Sequence, residues 1–137
     1  GEDIPHTGFI RTLSGMEISY VPQDTSGLCG NLRDYAIQAG VDESLFKAIL
    51  RKLGFSRTQF EKDLCDFSGG QKKKVLIAAS LSRPAHLLLW DEPLNFIDLP
   101  SRVQIEELLL GEAPTMLFVE HDAWFAERIA TKTVHLG

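Results

Sequence analysis

The run Leu87-Leu-Leu-Trp-Asp91-Glu92-Pro93 ends an apolar segment in two adjacent carboxylates. Read as a strand, it delivers both acids at its C-terminal end, the edge where open α/β sheets bind ligands. Neighbouring strand residues point in different directions. One acid can therefore hold Mg²⁺ while the other orients and deprotonates a water for attack on a phosphate. The plain alternative is that the two acids begin a turn.

Ser68-Gly69-Gly70-Gln71 opens a segment that runs on through Lys72, Lys73 and Lys74. Backbone amides at a helix N-terminus, uncrowded at two glycines, can approach phosphate oxygens, and the helix dipole favours the anion. Ser68 and Gln71 also satisfy the S-x-x-Q capping box, which needs no ligand. The three lysines read either as part of an anion site or as a solvated face. His121 follows a second apolar run in Val119-Glu120-His121-Asp122, where an imidazole can contact a terminal phosphate or serve a structural role. Gln23, after a first strand, can be a polar ligand to a metal or water, or a surface residue. Asp98, ahead of Pro100, is an expected N-cap and a candidate functional residue. Trp90, Trp124 and Phe125 are expected in the core.

These residues need elements to position them. Met16 to Val21 alternates and is rich in β-formers before Pro22, which predicts a strand followed by a loop at 23–30. Asn31 can cap a helix with Asp34 in its first turn. Asp42 can cap another, with Leu45, Phe46, Ile49, Leu50 and Leu53 at helical spacing before Gly54. Ser56 with Gln59 predicts a capping box for one more short helix to about Leu64. Residues 31–66 thus read as all-helical. From Ser68 the pattern becomes helix, strand, helix, strand, helix, strand: GQKKKVLIAASLSR, HLLLW, PSRVQIEELLL, TMLFVE, AWFAERIA and KTVHL. Such alternation implies a parallel sheet with crossover helices. The continuous apolarity of LLLW and MLFV predicts strands covered on both faces.

The chain has 137 residues, 44% hydrophobic and 24% charged, the composition of one globular domain rather than a collagen, coiled coil or disordered tract. No apolar run approaches the roughly 20 residues of a membrane span, and no secretion leader is expected. The formal net charge of −5 gives the chain as a whole no generic attraction to nucleic acid or anionic lipid, so any RNA contact must be local. Cys29 and Cys65 lack CxxC spacing, so free thiols in a reducing compartment are expected rather than a disulfide or zinc site.

The motifs occur in a telling order: Gln after a strand, a helical segment, SGGQ, an apolar strand with Asp-Glu, a further Asp, then an apolar strand with His. This order resembles the nucleotide-binding domain of the ATP-binding cassette (ABC) family. Tyr20-Val21-Pro22-Gln23 resembles its Q-loop, Phe67 to Gln71 its signature, Leu87 to Glu92 its Walker B strand, Asp98 its D-loop acid and His121 its switch histidine. The run from Asp91 to Asp98, with Asn95, resembles the DEPTNHLD run of the ABC-F class, as does His121 to Ala130. Trp90, Leu94, Phe96 and Glu120 resemble the antibiotic-resistance, ribosome-protecting branch. Leu94, Phe96 and Glu120 stand where the general pattern has Thr, His and Ser, departures that leave the carboxylates and switch histidine intact.

The resemblance implies a partial P-loop NTPase fold with an α-helical subdomain, divided at 1–24, 25–67 and 68–137. It implies ATP and Mg²⁺ as cofactors, with Asp91 and Gln23 near the metal and Glu92 as general base. His121 would hold the γ-phosphate, and Ser68, Gly69, Gly70, Gln71 and Asp98 would serve the nucleotide of an opposite cassette. Expected partners are that second cassette and the ribosome, in the cytoplasm. An ATPase subunit of a membrane transporter and a non-enzymatic dimerisation module are the competing readings. The chain contains no Gly-Lys dipeptide and so no G-x-x-x-x-G-K-[ST] phosphate loop. Gly1 to Pro5 resembles the segment just after the Walker A helix. The expectation is therefore the C-terminal portion of one cassette, inactive alone and prone to self-association through an incomplete sheet.

Overall fold

The computed structural model describes residues 4–136; Gly1 to Asp3, part of the segment likened to a Walker A flank, lie outside the described residues. Strands β1 (Ile18–Val21), β2 (Leu87–Asp91) and β3 (Met116–Val119) form a three-stranded sheet in that order. Both pairings are parallel. Val21 lies opposite Trp90 and Asp91 opposite Val119, so the strands end nearly level. A further backbone bond, from the Glu92 amide to the Val119 carbonyl at 2.9 Å, carries the alignment one residue past β2. This register places the residues that follow each strand along one edge.

Between β1 and β2 the chain is helical, as expected for 31–66. Asn31 caps α1 (Leu32–Ala39) by accepting from the Asp34 amide, and Gly40 ends it in the left-handed region. Asp42 caps α2 (Glu43–Lys52), which buries Phe46, Ile49 and Leu50. The helix predicted from Ser56 to Leu64 is instead two single 3-10 turns, Gln59–Glu61 and Leu64–Asp66. Only half of the predicted capping box forms. Gln59 accepts from the Ser56 amide at 2.7 Å, while the Ser56 hydroxyl is bonded to Thr58. Without the reciprocal bond, nothing holds the first turn long enough to propagate.

Helices α3 (Gly69–Ser82), α4 (Leu99–Glu112) and α5 (Ala123–Ile129) complete the alternation. Trp90 and Phe125 are buried as expected, but Trp124 is 66% exposed, one helical step off the face that holds Phe125. The Trp90 indole donates to the Ser80 hydroxyl at 2.9 Å, and Ser80 shares a hydrogen bond with Ser19. That chain of polar contacts pins β1, α3 and β2 together inside the core.

Three other expectations fail. The predicted last strand, KTVHL, pairs with nothing among the described residues, and Val134 and Leu136 stay exposed. Its alternation is present, but no ladder receives it. Among the described residues the sheet is covered on one face only: Ser19, Val21, Leu88 and Trp90 face the helices, while Tyr20 and Leu117 flank Leu89 in the register on the other face and are exposed. Cys29 and Cys65 are joined in a disulfide, Cα atoms 4.5 Å apart, rather than being free thiols. The fold brings the two ends of the helical segment together, a proximity that spacing in sequence does not reveal.

The start of α3 packs on the segment after β2. A Cβ on Gly70 would fall inside contact distance of the Phe96 carbonyl oxygen, whereas one on Gly69 would meet only the Phe96 ring at 3.8 Å. Lys74 then reaches Asp98 at 2.7 Å. Asp98 caps α4, accepting from the Ser101 amide. Burial works to raise its carboxyl, but Lys74 and the Ser101 hydroxyl and amide outweigh that and hold it at about 2.

Two outcomes are expected. Gly70→Ala lowers stability by about 1–3 kcal/mol through overpacking, while Gly69→Ala changes it by a few tenths in either direction; denaturant melts of both variants decide this. Asp98→Asn keeps a good N-cap but removes the charge. Because the folded carboxyl lies below its ordinary range, its stabilisation is present above about pH 4 and is lost as pH falls toward 2. Unfolding of wild type and Asp98→Asn should differ by about 1 kcal/mol or less at pH 7, Asp98 being half exposed, and should converge only below about pH 2.

Candidate functional site

Gln23, Glu92 and His121 converge at the C-terminal edge of the sheet, each just beyond its strand. The Gln23 amide nitrogen donates to Glu92 Oε2 at 2.9 Å. His121 Nε2 lies 3.1 Å from Glu92 Oε1. Asn95 adds a second donor to Oε2 at 2.7 Å. Glu92 has φ +46°, a left-handed conformation that costs energy for a residue with a side chain. The chain turns sharply there, and three side chains from three segments hold the carboxylate. Oε1, with one partner named, keeps a lone pair for a water proton.

Asp91 closes β2 immediately before this turn. Among the described residues its carboxylate enters no hydrogen bond or ion pair, so its oxygens are open to a hard cation. The Gln23 side-chain oxygen Oε1 is open likewise, since that side chain engages Glu92 through Nε2. Carboxylate and amide oxygens are the donor set Mg²⁺ takes. The residues present therefore fit the expected metal.

Lys73 lies beneath this edge. It is fully buried and its ammonium donates to the carbonyl oxygens of Pro22 at 2.8 Å and Gln23 at 3.2 Å. Burial pushes its pKa down, while Asp91, Glu92, Glu120 and Asp24 pull it the other way. The ammonium thus fixes the loop carrying Gln23 and sets a positive charge near the acids. Glu120 has a comparable tying role: Oε2 accepts from the Leu94 amide at 3.2 Å, and Oε1 from the His121 amide at 2.9 Å. This side chain, a departure from the family pattern, joins the segment after β3 to the segment after β2.

Ser68, Gly69, Gly70 and Gln71 open α3, to which Asp98 is tied through Lys74, and among the described residues none of these five bonds to Glu92. The capping box is real: Gln71 accepts from the Ser68 amide at 3.0 Å and Ser68 accepts from the Gln71 amide at 3.2 Å. The box uses the Gln71 Oε1 and Ser68 Oγ atoms as acceptors, and the Ser68 O–H and Gln71 side-chain N–H donors have no partner among the described residues. Gly69 remains exposed with room before its backbone, while Gly70 is required by the close approach of Phe96. Of the three lysines, Lys73 and Lys74 are tied into the structure rather than forming a solvated face.

Sequence reasoning did not find the roles of Asn95, Lys73, Lys74 and Glu120. For Lys73 a signal was there: it shares an i, i+4, i+7 stripe with Ile77 and Ser80, both buried. A lysine on the buried stripe of a helix must find acceptors. For Asn95 and Glu120 the partners depend on turns that the sequence does not specify.

The ABC transporter family pattern matches residues 2–95. YdiF of Bacillus subtilis is 31% identical over 97% of this chain, which spans 21% of that protein. The ribosome protection protein VmlR of the same species is 38% identical over 58% of this chain and 15% of its own length. The chain thus spans about a fifth of these relatives. Among solved structures, an archaeal ribosome recycling factor, aABCE1, in complex with the ribosomal stalk protein aP1, superposes with a TM-score of 0.73 over 93% of this chain and 26% of that one. At 24% identity that likeness concerns the fold, the parallel α/β architecture of an ABC ATPase cassette. With Gln23, Glu92 and His121 at one sheet edge and the family pattern over more than half its length, the chain belongs to the ABC transporter family of ATP-binding cassettes.

Proposed function

We propose that this chain is the C-terminal portion of one cassette of an ABC-F protein, a cytoplasmic ATP hydrolase that acts on ribosomes. The observation that carries the hydrolase reading is Glu92, held by Gln23, Asn95 and His121 at the strand ends with an oxygen lone pair free. In this reading Glu92 takes the proton of the attacking water, its position fixed before substrate arrives. His121 Nε2, beside Glu92 and largely exposed, reaches the γ-phosphate. Gln23 Oε1 and Asp91 hold the metal. A bound Mg²⁺ supplies charge neutralisation on the phosphates.

Among the described residues none of Ser68, Gly69, Gly70, Gln71 and Asp98 bonds to Glu92, which supports a role toward a nucleotide held by a second cassette in a head-to-tail pair. The boundaries 1–24, 25–67 and 68–137 then separate the Q-loop strand, the helical subdomain and the catalytic half. The ABC-F assignment draws on Asn95, on the His121 to Ala130 stretch and on the ribosome protection protein among the relatives. Mg-ATP turnover belongs to the longer protein, because no Gly-Lys phosphate loop is among these residues.

Two experiments test this. The longer protein carrying Glu92→Gln, with the matching glutamate of its other cassette also changed, should pellet with ribosomes in ATP and not in ADP. Its turnover should fall at least about 100-fold, the lower range for loss of a general base. A folded, ATP-binding protein that never pellets would shift the assignment to a transporter subunit. The 15.3 kDa chain alone should show no ATPase. It should associate through the bare face carrying Tyr20, Leu117 and Val119. Light scattering that finds only monomer at high concentration would overturn the second expectation.

A further inference from the structure

We infer that Cys29 and Cys65 form a reversible thiol–disulfide site, oxidised by low-molecular-weight disulfides, whose state adds or removes one covalent link at the neck of the helical segment. The two cysteines stand 36 residues apart in sequence and bracket the whole helical segment. Cys29 follows Gln23 by six residues and Cys65 precedes Ser68 by three. The bond therefore ties the loop that touches Glu92 to the start of the Ser68–Gln71 cluster.

Both residues are exposed, so a small disulfide can reach either sulfur. Contacts independent of sulfur hold the same neck. The Leu64 amide donates to the Gly30 carbonyl at 2.8 Å. Asp63 Oδ1 accepts from the Gly30 amide at 3.1 Å and the Cys65 amide at 2.8 Å. A carboxylate oxygen of Asp63 and the two sulfurs lie within 4.8 Å of one another. Reduction removes one link and leaves the hydrogen bonds, so the thiols stay adjacent and closure remains intramolecular. Neither cysteine belongs to the hydrophobic core, so the core does not depend on the bond.

The exchange balances with oxidised glutathione as co-reactant. One protein thiolate attacks a glutathione sulfur, forming a mixed disulfide and expelling one glutathione thiol. The second protein thiolate then attacks the protein-side sulfur, closes the Cys29–Cys65 bond and expels the other. Two electrons pass from the protein pair to the glutathione disulfide, and the protons of the two protein thiols end on two glutathione thiols. In the cytoplasm, where the proposed function puts the chain, such a pair is typically transient and redox-sensing, and this step alone rests on that reading.

The inference needs neither ATP nor a ribosome, so its test is independent of the proposed function. The chain is equilibrated in glutathione buffers from reduced to oxidised, quenched by alkylation and weighed; hydrogen exchange at 23–30 and 65–71 and thermal unfolding are followed in parallel. Two alkyl groups in reducing buffer and none in oxidising buffer, reversibly and on a single chain, are expected. Reduction should lower the unfolding temperature by roughly 5–10 °C and speed exchange several-fold in both segments. The Cys29→Ser, Cys65→Ser chain should behave as reduced wild type in every buffer. Thiols alkylated in all buffers, bonds formed only between chains, or melting and exchange indifferent to redox state would each overturn the inference.

Discussion

Everything at the candidate site depends on the register of three short parallel strands. Val21 beside Trp90 and Asp91 beside Val119 bring three chain segments to one edge nearly level. A shift of one residue in either pairing would turn the wrong faces toward the helices and separate Gln23, Glu92 and His121. The register is held from beneath by the Ser19–Ser80–Trp90 contacts and by α3 packed under β1 and β2. An edge built in this way lets short polar side chains meet without long loops, which is why the glutamate is gripped rather than merely nearby.

The second constraint is the buried ammonium of Lys73. A charged group under a sheet edge is costly unless it is satisfied, and here two backbone carbonyls of the Gln23 loop satisfy it while nearby carboxylates favour its charged form. Removing it would leave those carbonyls unpaired and the acids without a counter-charge. The same helix presents Lys74 to Asp98 and Gly70 to the Phe96 carbonyl. Helix α3 is thus the element through which the segments after β1 and β2 are fixed relative to one another.

The alternation of apolar runs and helical spacing made the parallel sheet legible, and the Asp-Glu pair, Gln23 and His121 were legible because strand ends are where such residues gather. The tail at 132–136 misled because alternation predicts a strand only if a partner ladder exists, and partners are a tertiary property. The continuously apolar strands misled in the same way: the Tyr20 and Leu117 face is apolar in composition and bare in the described structure. Cys29 and Cys65 could not be paired from spacing alone, since their meeting depends on how the helical segment returns to its own start. Asn95 was noticed for its resemblance to a pattern, while its bond to Glu92 required the turn at φ +46° to be seen.

The glycine pair shows how one motif can satisfy two demands at once. Gly70 is compelled by packing, since any Cβ would strike the Phe96 carbonyl, and that reason exists with no ligand present. Gly69 has no such reason: a methyl there meets only a ring at ordinary distance, and its backbone lies exposed at the N-terminus of a 14-residue helix. Stability accounts for the second glycine, while at the first no packing contact requires that the side chain be missing. An anion at the helix terminus would supply that reason, because close approach to an oxygen is hindered by the side chain Gly69 lacks. In the proposed function, the ligand-facing part of the signature is its first glycine. The capping box formed by Ser68 and Gln71 holds that glycine's amide in place.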